Sequence, residues 1–257
     1  MVSARSRPKR FLMAAMAMPS SSGLQRGAAI SGIIAHESLD GYRVLVIDDL
    51  LDDPDRMRTE AATAGPYDRE PGNYYPGLRA PAPAAYGDFL AGFISHHLAE
   101  PLGLSPDTPP LAVQCLFSLV TQAPESLLPI QSIPHFDSSD PGHIAVVHYL
   151  FKQDFGGTSF YRHKGTGHDA ITSNRARAYQ KALAADASRI GLPKPGYMGS
   201  DSALFARTAQ IAPRYNRAVV YPGCLLHAGD IGAAFGFSSD PLEGRLTITS
   251  FLRFPSS

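Results

Sequence analysis

Short stretches in which hydrophobic and polar positions alternate recur along the chain, separated by turns rich in glycine and proline. Alternation with a period of two residues is typical of strands that bury one face of a sheet. The pattern predicts strands at 43–47, 111–121, 143–151, 158–163, 217–221 and 244–254, and a further short strand around His227. Residues 202–213 fit either a strand or a helix, and we favour a strand. The chain therefore has a predominantly β core.

Three stretches have helical patterns instead. Residues 54–64 follow Asp53, a residue type that caps helix N-termini, and begin with Pro54, which suits the first helical position. Residues 84–98 space their large apolar side chains at helical intervals, and residues 174–190 are rich in good helix formers. The last helix interrupts the predicted β region, so we interpret it as an insertion.

The order of these elements predicts one α+β domain. Glycine and proline, at 23 and 22 of 257 residues, favour a loop-rich β architecture over a helical bundle. We expect residues 1–40 to be a disordered N-terminal extension and residues 41–257 to form a single domain. Within this domain, residues 41–110 are expected to form a helical supporting layer, and residues 111–257 the β core with its insertion near 174–190.

The proline-rich segment 66–83 separates the first two helices and predicts a loop without regular structure. Its three clustered tyrosines, Tyr67, Tyr74 and Tyr75, have two interpretations. Packing within a long loop is the simpler one, and covering a binding site is the other.

Composition and charge narrow the classes of partner. Lysine plus arginine and aspartate plus glutamate number 23 each, so no net charge attracts nucleic acid or an anionic membrane. No apolar run is long enough to span a bilayer, and the apolar stretch after Lys9 and Arg10 is short for a secretion signal. We therefore expect a cytoplasmic protein that acts on a small molecule or a peptide.

Candidate chemistry begins with a histidine and a carboxylate on alternate residues, His135 and Asp137. In an extended segment both side chains project to the same side, as two ligands of one metal ion must. His227 lies on a later predicted strand. Two imidazoles and one carboxylate in this order form the facial triad of non-haem Fe(II) oxygenases, which leaves coordination positions open on one side of the metal.

The last predicted strand adds a site for an anion. Arg245, Thr247 and Thr249 alternate with apolar residues and therefore share one face. An arginine offers a planar fork for a carboxylate, and neighbouring hydroxyl groups can complete its binding.

Together these residues resemble the 2-oxoglutarate and Fe(II)-dependent oxygenases, particularly the prolyl-hydroxylase-like branch. The HYL sequence at 148–150 and the GGTSF sequence at 156–160 are similar to a strand and a turn of that branch. From about residue 41 onward, with VIDDLLDDPD and YYPGLRAP as further similar stretches, the chain also resembles an uncharacterised bacterial family of this superfamily.

The resemblance implies an Fe(II) site formed by His135, Asp137 and His227. It further implies that Arg245 pairs with the distal carboxylate of 2-oxoglutarate, that Tyr149 touches this cosubstrate, and that Thr247 supplies a hydroxyl group. The expected activity is hydroxylation of an unidentified small-molecule or peptide substrate by dioxygen, with release of succinate and carbon dioxide. The expected fold is a double-stranded β-helix, a cupin-like jelly roll, with flanking helices.

Two other functions remain open at this point. A cupin-like hydrolase or isomerase could use the same three ligands with zinc or manganese, but it would not need Arg245 and the hydroxyl groups beside it. A non-catalytic binding protein of the same fold is the other alternative.

The remaining polar residues near the motif have structural interpretations as well as functional ones. His143 and His148 are predicted to be structural, and His163 and His168 to be exposed to solvent. Asp140 and Asp230 either cap loops or support the metal ligands, and Gln131 is a candidate to face the pocket.

Overall fold

A large antiparallel sheet organises the part of the chain that this computed structural model describes, namely residues 9–11, 33–38, 40–69, 72–232 and 236–255. Three helices cover one face of the sheet, and a smaller antiparallel sheet covers part of the other face. A fourth helix packs on the outer side of the smaller sheet. The fold is therefore a layered α+β architecture with two sheets in contact.

The strands are β1 Lys9–Phe11, β2 Ile33–Glu37, β3 Arg43–Ile47, β4 Gly77–Pro81, β5 Ala112–Val120, β6 His143–Tyr149, β7 Thr158–His163, β8 Phe205–Ile211, β9 Ala218–Pro222, β10 His227–Gly229 and β11 Leu246–Arg253. The α-helices are α1 Pro54–Thr63, α2 Ala84–Phe93, α3 Ala99–Leu102 and α4 Ser173–Ile190. A π-helical turn, Ile94–Leu98, joins α2 to α3. None of the helices in the described residues has the length and apolarity needed to cross a membrane.

Strand order in the large sheet is β1-β2-β3-β9-β6-β11-β5-β4, and in the small sheet β10-β7-β8. The central strands β9, β6 and β11 are rich in valine, isoleucine and threonine, the branched residues that pack well on a pleated surface. Because β11 lies between β6 and β5, the C-terminal strand joins both halves of the sheet.

An apolar core between the large sheet and its helices supports the sheet. Met57 of α1 and Leu90 of α2 are fully buried against this face, as is Ile94 of the π-helical turn. Burial of a side chain of this size contributes roughly 1.5–3 kcal/mol. Helix α1 starts as predicted, because the Asp53 side chain accepts a hydrogen bond from the Arg56 N–H group and Pro54 occupies the first turn.

Most predicted strands and all predicted helices are confirmed to within a few residues, but the N-terminal boundaries differ. Strand β2 pairs with β3 and so extends the sheet into the segment 1–40 that was predicted to be disordered. Residues 1–8, 12–32 and 39 lie outside the described part of the chain. The large sheet therefore begins before residue 41.

The interpretation of residues 66–83 as a loop without regular structure is also wrong in part. Residues Gly77–Pro81 form β4, an edge strand paired with β5. Residues 41–110 therefore supply two strands of the large sheet, β3 and β4, as well as the three helices that cover one of its faces. Proline and glycine are tolerated in β4 because it lies at the edge of the sheet.

His163 is buried, contrary to the prediction that it is exposed. It lies at the end of β7, and its ring centroid is 5.3 Å from those of Tyr179 in α4 and Phe205 in β8. The sequence pattern missed this burial because α4 covers the outer face of the small sheet. His168 is partly exposed.

His148 has the structural role that was predicted for it. Its Nε2–H group donates to the side-chain oxygen of Asn216, whose amide nitrogen donates to the Leu51 carbonyl oxygen. Nδ1 of His148 then accepts from the Tyr86 hydroxyl group at 3.1 Å. Both ring nitrogens are thus satisfied with the ring neutral, and burial lowers the pKa of His148 to about 4.

A pH dependence of stability follows from this lowered pKa. In the unfolded chain His148 takes up a proton near pH 6.5, whereas in the folded protein it does so only near pH 4. The stabilisation by neutral His148 is fully present above pH 6.5. As the pH falls toward 4, the free energy of unfolding decreases by about 1.4 kcal/mol per pH unit. Urea unfolding between pH 7.5 and 4.5 should therefore show a shallower decline in His148→Gln than in the wild type.

The matched control is His168→Gln, which alters a partly exposed histidine outside this network. Its stability should follow the wild-type slope. Parallel slopes for the wild type and His148→Gln would contradict the assignment of a neutral, buried His148.

Candidate metal and anion site

The two candidate histidine ligands are paired through their backbones. His135 and His227 form an antiparallel bridge, with the N–H of each donating to the carbonyl oxygen of the other at 2.9 and 2.8 Å. Residues directly opposite each other in an antiparallel pair project to the same face. The imidazole ring centroids are accordingly 4.3 Å apart.

Asp137 joins this pair because the chain after His135 remains extended. Its N–H group donates to the Gly223 carbonyl oxygen at 2.7 Å, which fixes the backbone two residues after His135. A side chain at Gly223 would press against His143 and the Cβ atom of Asp137, so glycine permits this close approach. One ligand atom each from His135, Asp137 and His227 lies within 4.8 Å of the other two, a spacing that could hold a metal ion.

The hydrogen bonds of His227 indicate which atom faces the cluster. Its Nδ1–H group donates to the Leu225 carbonyl oxygen at 2.9 Å, because a carbonyl oxygen only accepts. In the neutral ring Nε2 therefore carries a lone pair, and it lies 3.5 Å from Asp137 Oδ2. A divalent metal ion bound by both atoms would remove the repulsion between their lone pairs, and this donor set suits a transition metal.

Burial keeps the two imidazoles neutral, which is the form in which histidine binds metals. Desolvation lowers the pKa of His227 to about 4. Desolvation, and then the neighbouring His227, lowers that of His135 to about 4 as well, although 55% of the His135 side chain is accessible from the cavity. Burial also raises the pKa of Asp137, so its negative charge is costly when no cation is bound.

The cluster forms part of the wall of a cavity of about 580 Å³. Arg245 lines the same cavity, together with Thr247 and Thr249 from β11. The long interval between His227 and Arg245 in the sequence therefore does not separate them in space. Gln131 also lines the cavity, as proposed from the sequence.

Arg245 is a buried cation held by carbonyl groups. It is only 5% exposed, and its guanidinium group donates to the carbonyl oxygens of Gly156 and Gly157 at 3.0 to 3.2 Å. Among the described residues, no carboxylate lies within ion-pair distance of it. Burial lowers the pKa of Arg245 although the Asp230 charge partly opposes this effect, so an anionic ligand would stabilise the guanidinium group.

The glycine pair of the GGTSF sequence explains how these carbonyl groups reach Arg245. A Cβ atom at Gly156 would overlap the backbone of Asp230, and one at Gly157 would overlap the backbone of Ile211. Gly156 also has φ of 82°, which L-amino acids rarely adopt. Only glycine lets the turn between β6 and β7 approach this closely.

Tyr149 lies behind the cavity wall rather than on it. Its hydroxyl group bonds with Oγ1 of Thr158 at 2.7 Å, and Thr158 lines the cavity. The Tyr149 ring is 5.8 Å from the Arg245 guanidinium carbon. The structure therefore places Tyr149 as a support for Arg245 and Thr158, where the sequence predicted direct contact with a cosubstrate.

Tyr75 is a residue of this site that the sequence analysis did not select. It lines the same cavity as Arg245. The Tyr75 hydroxyl group is buried near the hydroxyl groups of Ser118 and Thr247, yet it makes no hydrogen bond of good geometry with either. The only sequence signal was the tyrosine cluster in the proline-rich segment, for which loop packing was the simpler interpretation.

The two aspartates considered as supports for the metal ligands have other roles. Asp140 caps a turn by accepting from the Gly142 N–H group at 2.9 Å. Asp230 accepts from the Ser159 hydroxyl group at 2.9 Å and from the Gln210 amide at 2.6 Å, within the small sheet.

Fold and cavity together define a class: an α+β protein in which two antiparallel sheets enclose a His–Asp–His cluster and a buried arginine. The chain belongs to the family of unknown function DUF6445, which matches residues 33–252. The match starts with β2 and ends within β11, so it covers the small sheet, the large sheet from β2 onward and all three residues of the cluster. A search of curated proteins found no match.

Proposed function

We propose that this protein is an Fe(II)- and 2-oxoglutarate-dependent dioxygenase that hydroxylates its substrate. The observation that carries the proposal is the presence, in one cavity, of a two-histidine, one-carboxylate cluster and a buried arginine without a carboxylate partner among the described residues. A metal-dependent hydrolase would explain the cluster but not the buried arginine. A cosubstrate that binds the metal at one end and carries a free carboxylate at the other would explain both.

The triad suits Fe(II) by its donor types and by its arrangement. His135, Asp137 and His227 would hold the ion from one side, which leaves its other positions for ligands. The bond from His227 Nδ1–H to Leu225 fixes the ring orientation and favours coordination through Nε2. The backbone bridge between the histidines means that little reorganisation is needed on binding.

The anion subsite fits a dicarboxylate. Arg245 would pair with the distal carboxylate by charge-assisted hydrogen bonds, while the Tyr75 and Thr247 hydroxyl groups lie beside it. Tyr149 and the carbonyl groups of Gly156 and Gly157 would hold the guanidinium group in place. The cosubstrate would thereby be oriented with its keto acid toward the triad.

The bound cofactor and cosubstrate would supply the oxidation: 2-oxoglutarate and dioxygen yield succinate and carbon dioxide, with one oxygen atom entering succinate and the other a substrate C–H bond. The chain itself binds, orients and excludes water. The buried aromatic rings of Tyr221 and Phe160 pack around His227 at 4.8 and 6.2 Å and keep water from that side of the cluster.

We further propose that the two sheets form a double-stranded β-helix, the jelly roll expected from the sequence. Support comes from the antiparallel pairing in both sheets and from the apolar cluster between them, to which Tyr149, Phe160 and Val219 belong. Further support is the position of the site, with His227 on the small sheet and Arg245 immediately before β11 of the large sheet.

Anaerobic titration tests the proposed function. Purified protein receives Fe(II) and then 2-oxoglutarate, and a weak visible charge-transfer band is expected only when both are present. Succinate, which lacks the keto group, is the matched control and should give no band.

The alternatives predict other results. Tight zinc binding with no band and no 2-oxoglutarate binding would favour the hydrolase. Absence of any metal binding would favour a non-catalytic protein. Either result would overturn the proposed oxygenase.

A further inference from the structure

The cavity has room for more than the cosubstrate. Its volume of about 580 Å³ falls in the range typical of sites for drug-sized ligands, and a five-carbon dicarboxylate is much smaller. The residues that surround Arg245 and the triad account for only part of the wall. The rest of the wall should therefore contact the substrate that is oxidised.

This remaining part, which we call the substrate wall, is apolar and aromatic. It consists of Ile130, Ile133, Phe136, Tyr179, Leu183 and Met198. The charged residues that line the described cavity lie in other segments, with Asp137 in the triad, Arg245 before β11 and Arg79 on β4. A charged group placed against the substrate wall would lose its hydration without gaining a partner there, so this wall favours an uncharged ligand.

Part of the substrate wall is held exposed at the edge of the cavity. Ile130 lines the cavity and is nevertheless 47% exposed. The next residue, Gln131, fixes this edge, because its side-chain amide donates to the Tyr74 carbonyl oxygen at 2.9 Å and to the Gln122 side chain at 3.0 Å. A ligand that covers Ile130 would therefore bury apolar surface with little ordering of the protein.

Tyr179 of α4 adds a polar group to this apolar wall. The residue is only 3% exposed, and its ring is held edge to face by Phe136 and His163, with centroid distances of 6.1 and 5.3 Å. Its hydroxyl group makes no hydrogen bond with any described residue. Burial raises the pKa of Tyr179, so the hydroxyl group keeps its proton and can donate it to a ligand.

Other tyrosines around the cavity have a partner for this group within the protein. The Tyr197 hydroxyl group donates to the Gln122 backbone oxygen at 2.7 Å, and the Tyr161 hydroxyl group donates to the Met198 backbone oxygen at 2.8 Å. A buried hydroxyl group without a partner destabilises the fold, and phenylalanine would fill the same space without that cost. A ligand in the cavity would supply the partner that the Tyr179 hydroxyl group lacks.

We infer that the substrate is an uncharged molecule with an apolar body and a hydrogen-bond acceptor, whose body lies against the substrate wall and whose acceptor binds the Tyr179 hydroxyl group. This inference rests on the proposed function, because it takes the triad and Arg245 to be occupied by Fe(II) and 2-oxoglutarate. Phe136, which lies between two metal ligands in the chain, packs on Tyr179 and so places this group near the triad. One directed bond added to apolar contact fixes which carbon of the substrate meets the metal.

The composition of the protein offers a direct binding test. The chain contains no tryptophan, so the fluorescence of an indole compound can be followed without protein indole emission. The probes are indole-3-propionamide, 3-isopentylindole, in which an isopropyl group replaces the amide at nearly the same size, and the charged indole-3-propionate. Binding is measured on the full chain with Zn(II) and saturating 2-oxoglutarate, so that the triad and Arg245 are occupied and no turnover occurs.

Tyr179→Phe should weaken binding of the amide about fivefold, because a neutral hydrogen bond is lost, and should change the affinity for 3-isopentylindole less than about twofold. The comparison separates the hydrogen bond from the apolar contact. Tyr67→Phe removes the hydroxyl group of a partly buried tyrosine outside the cavity lining and is the matched control; it should change neither affinity. The wild type should bind indole-3-propionate about tenfold more weakly than the amide.

The apolar contact has its own pair of variants. Ile130→Asn should weaken binding of both neutral probes several-fold, because apolar surface that they cover is lost. Leu192→Asn changes a residue that is 43% exposed outside the cavity lining and should weaken neither. Thermal unfolding verifies that each variant is folded, and Tyr179→Phe should not lower the unfolding temperature, because it removes no hydrogen bond within the described structure.

The outcomes separate this inference from the proposed function. An equal change for both neutral probes in Tyr179→Phe, tighter binding of the acid than of the amide, or no binding of either neutral probe would overturn the inference even if 2-oxoglutarate binds. Failure of 2-oxoglutarate to bind, with binding of the amide that depends on Tyr179, would overturn the proposed function and leave a site for uncharged ligands standing.

Discussion

Asp137→Ala is expected to lose iron-dependent succinate release and to bind divalent metal more than about 100-fold more weakly than the wild type. Partners that merely support a metal ligand change affinity by about 10–100-fold when mutated, so loss of a ligand should cost at least as much. Two imidazoles would remain, without the charge that balances the cation. Isothermal titration with Zn(II) measures the affinity, and succinate formation with Fe(II) measures the turnover.

The metal-free variant should nevertheless stay folded. Burial raises the pKa of Asp137, which means that its charge destabilises the metal-free fold at neutral pH, so alanine should not lower the unfolding temperature. Added metal should raise that temperature in the wild type and not in the variant. Asp52→Ala, a change at an exposed carboxylate of the loop before α1, is the control. Undiminished succinate production by Asp137→Ala would disprove the assignment of the triad.

Arg245→Gln is expected to raise the KM for 2-oxoglutarate by about 100-fold, because truncating one partner of a buried, hydrogen-bonded charge pair costs roughly 2–5 kcal/mol. The kcat at saturating cosubstrate should change much less, since Arg245 would bind the distal carboxylate and not the reacting keto acid. Steady-state kinetics over a wide range of 2-oxoglutarate concentrations separates the two parameters. Glutamine can still donate to one of the two glycine carbonyl groups, so much of the local structure should be kept.

Two tyrosine variants provide a graded comparison. Tyr75→Phe removes a buried hydroxyl group beside Arg245 and should weaken 2-oxoglutarate binding several-fold, as expected for a hydrogen bond to a charged group. Tyr74→Phe removes the hydroxyl group of the exposed neighbouring residue and should have no such effect. If Arg245→Gln changed kcat alone and left the KM unaltered, the anion subsite would have to lie elsewhere.

The elements that the sequence predicted well are those whose two faces meet different surroundings, or whose ends need specific residues. Strands β6 and β11 alternate because one face meets the helices and the other meets the small sheet or the cavity. His135 and Asp137 were recognisable because an extended segment places alternate residues on one side. Asp53 and Pro54 marked the start of α1 because helix ends need specific local chemistry.

What the sequence did not reveal depends on contacts between distant segments. Tyr75 and Arg79 reach the cavity because β4 pairs with β5, and a short edge strand containing proline carries almost no alternating signal. His163 looked like a loop residue because its burial depends on α4, which folds back over the small sheet. Strand β2 was assigned to an extension because its pairing partner β3, rather than its own pattern, holds it in the sheet.

The backbone bridge between His135 and His227 makes the spacing of the two imidazoles independent of everything that lies between them in the chain. That intervening segment contains β6 to β9 and α4, and the two hydrogen bonds of the bridge join its two ends. A metal ion bound by the triad would join His135 and His227 a second time, through their side chains. Relatives could therefore lengthen, shorten or replace α4, and so remodel the wall that meets the substrate, while the spacing of the two histidines stays unchanged.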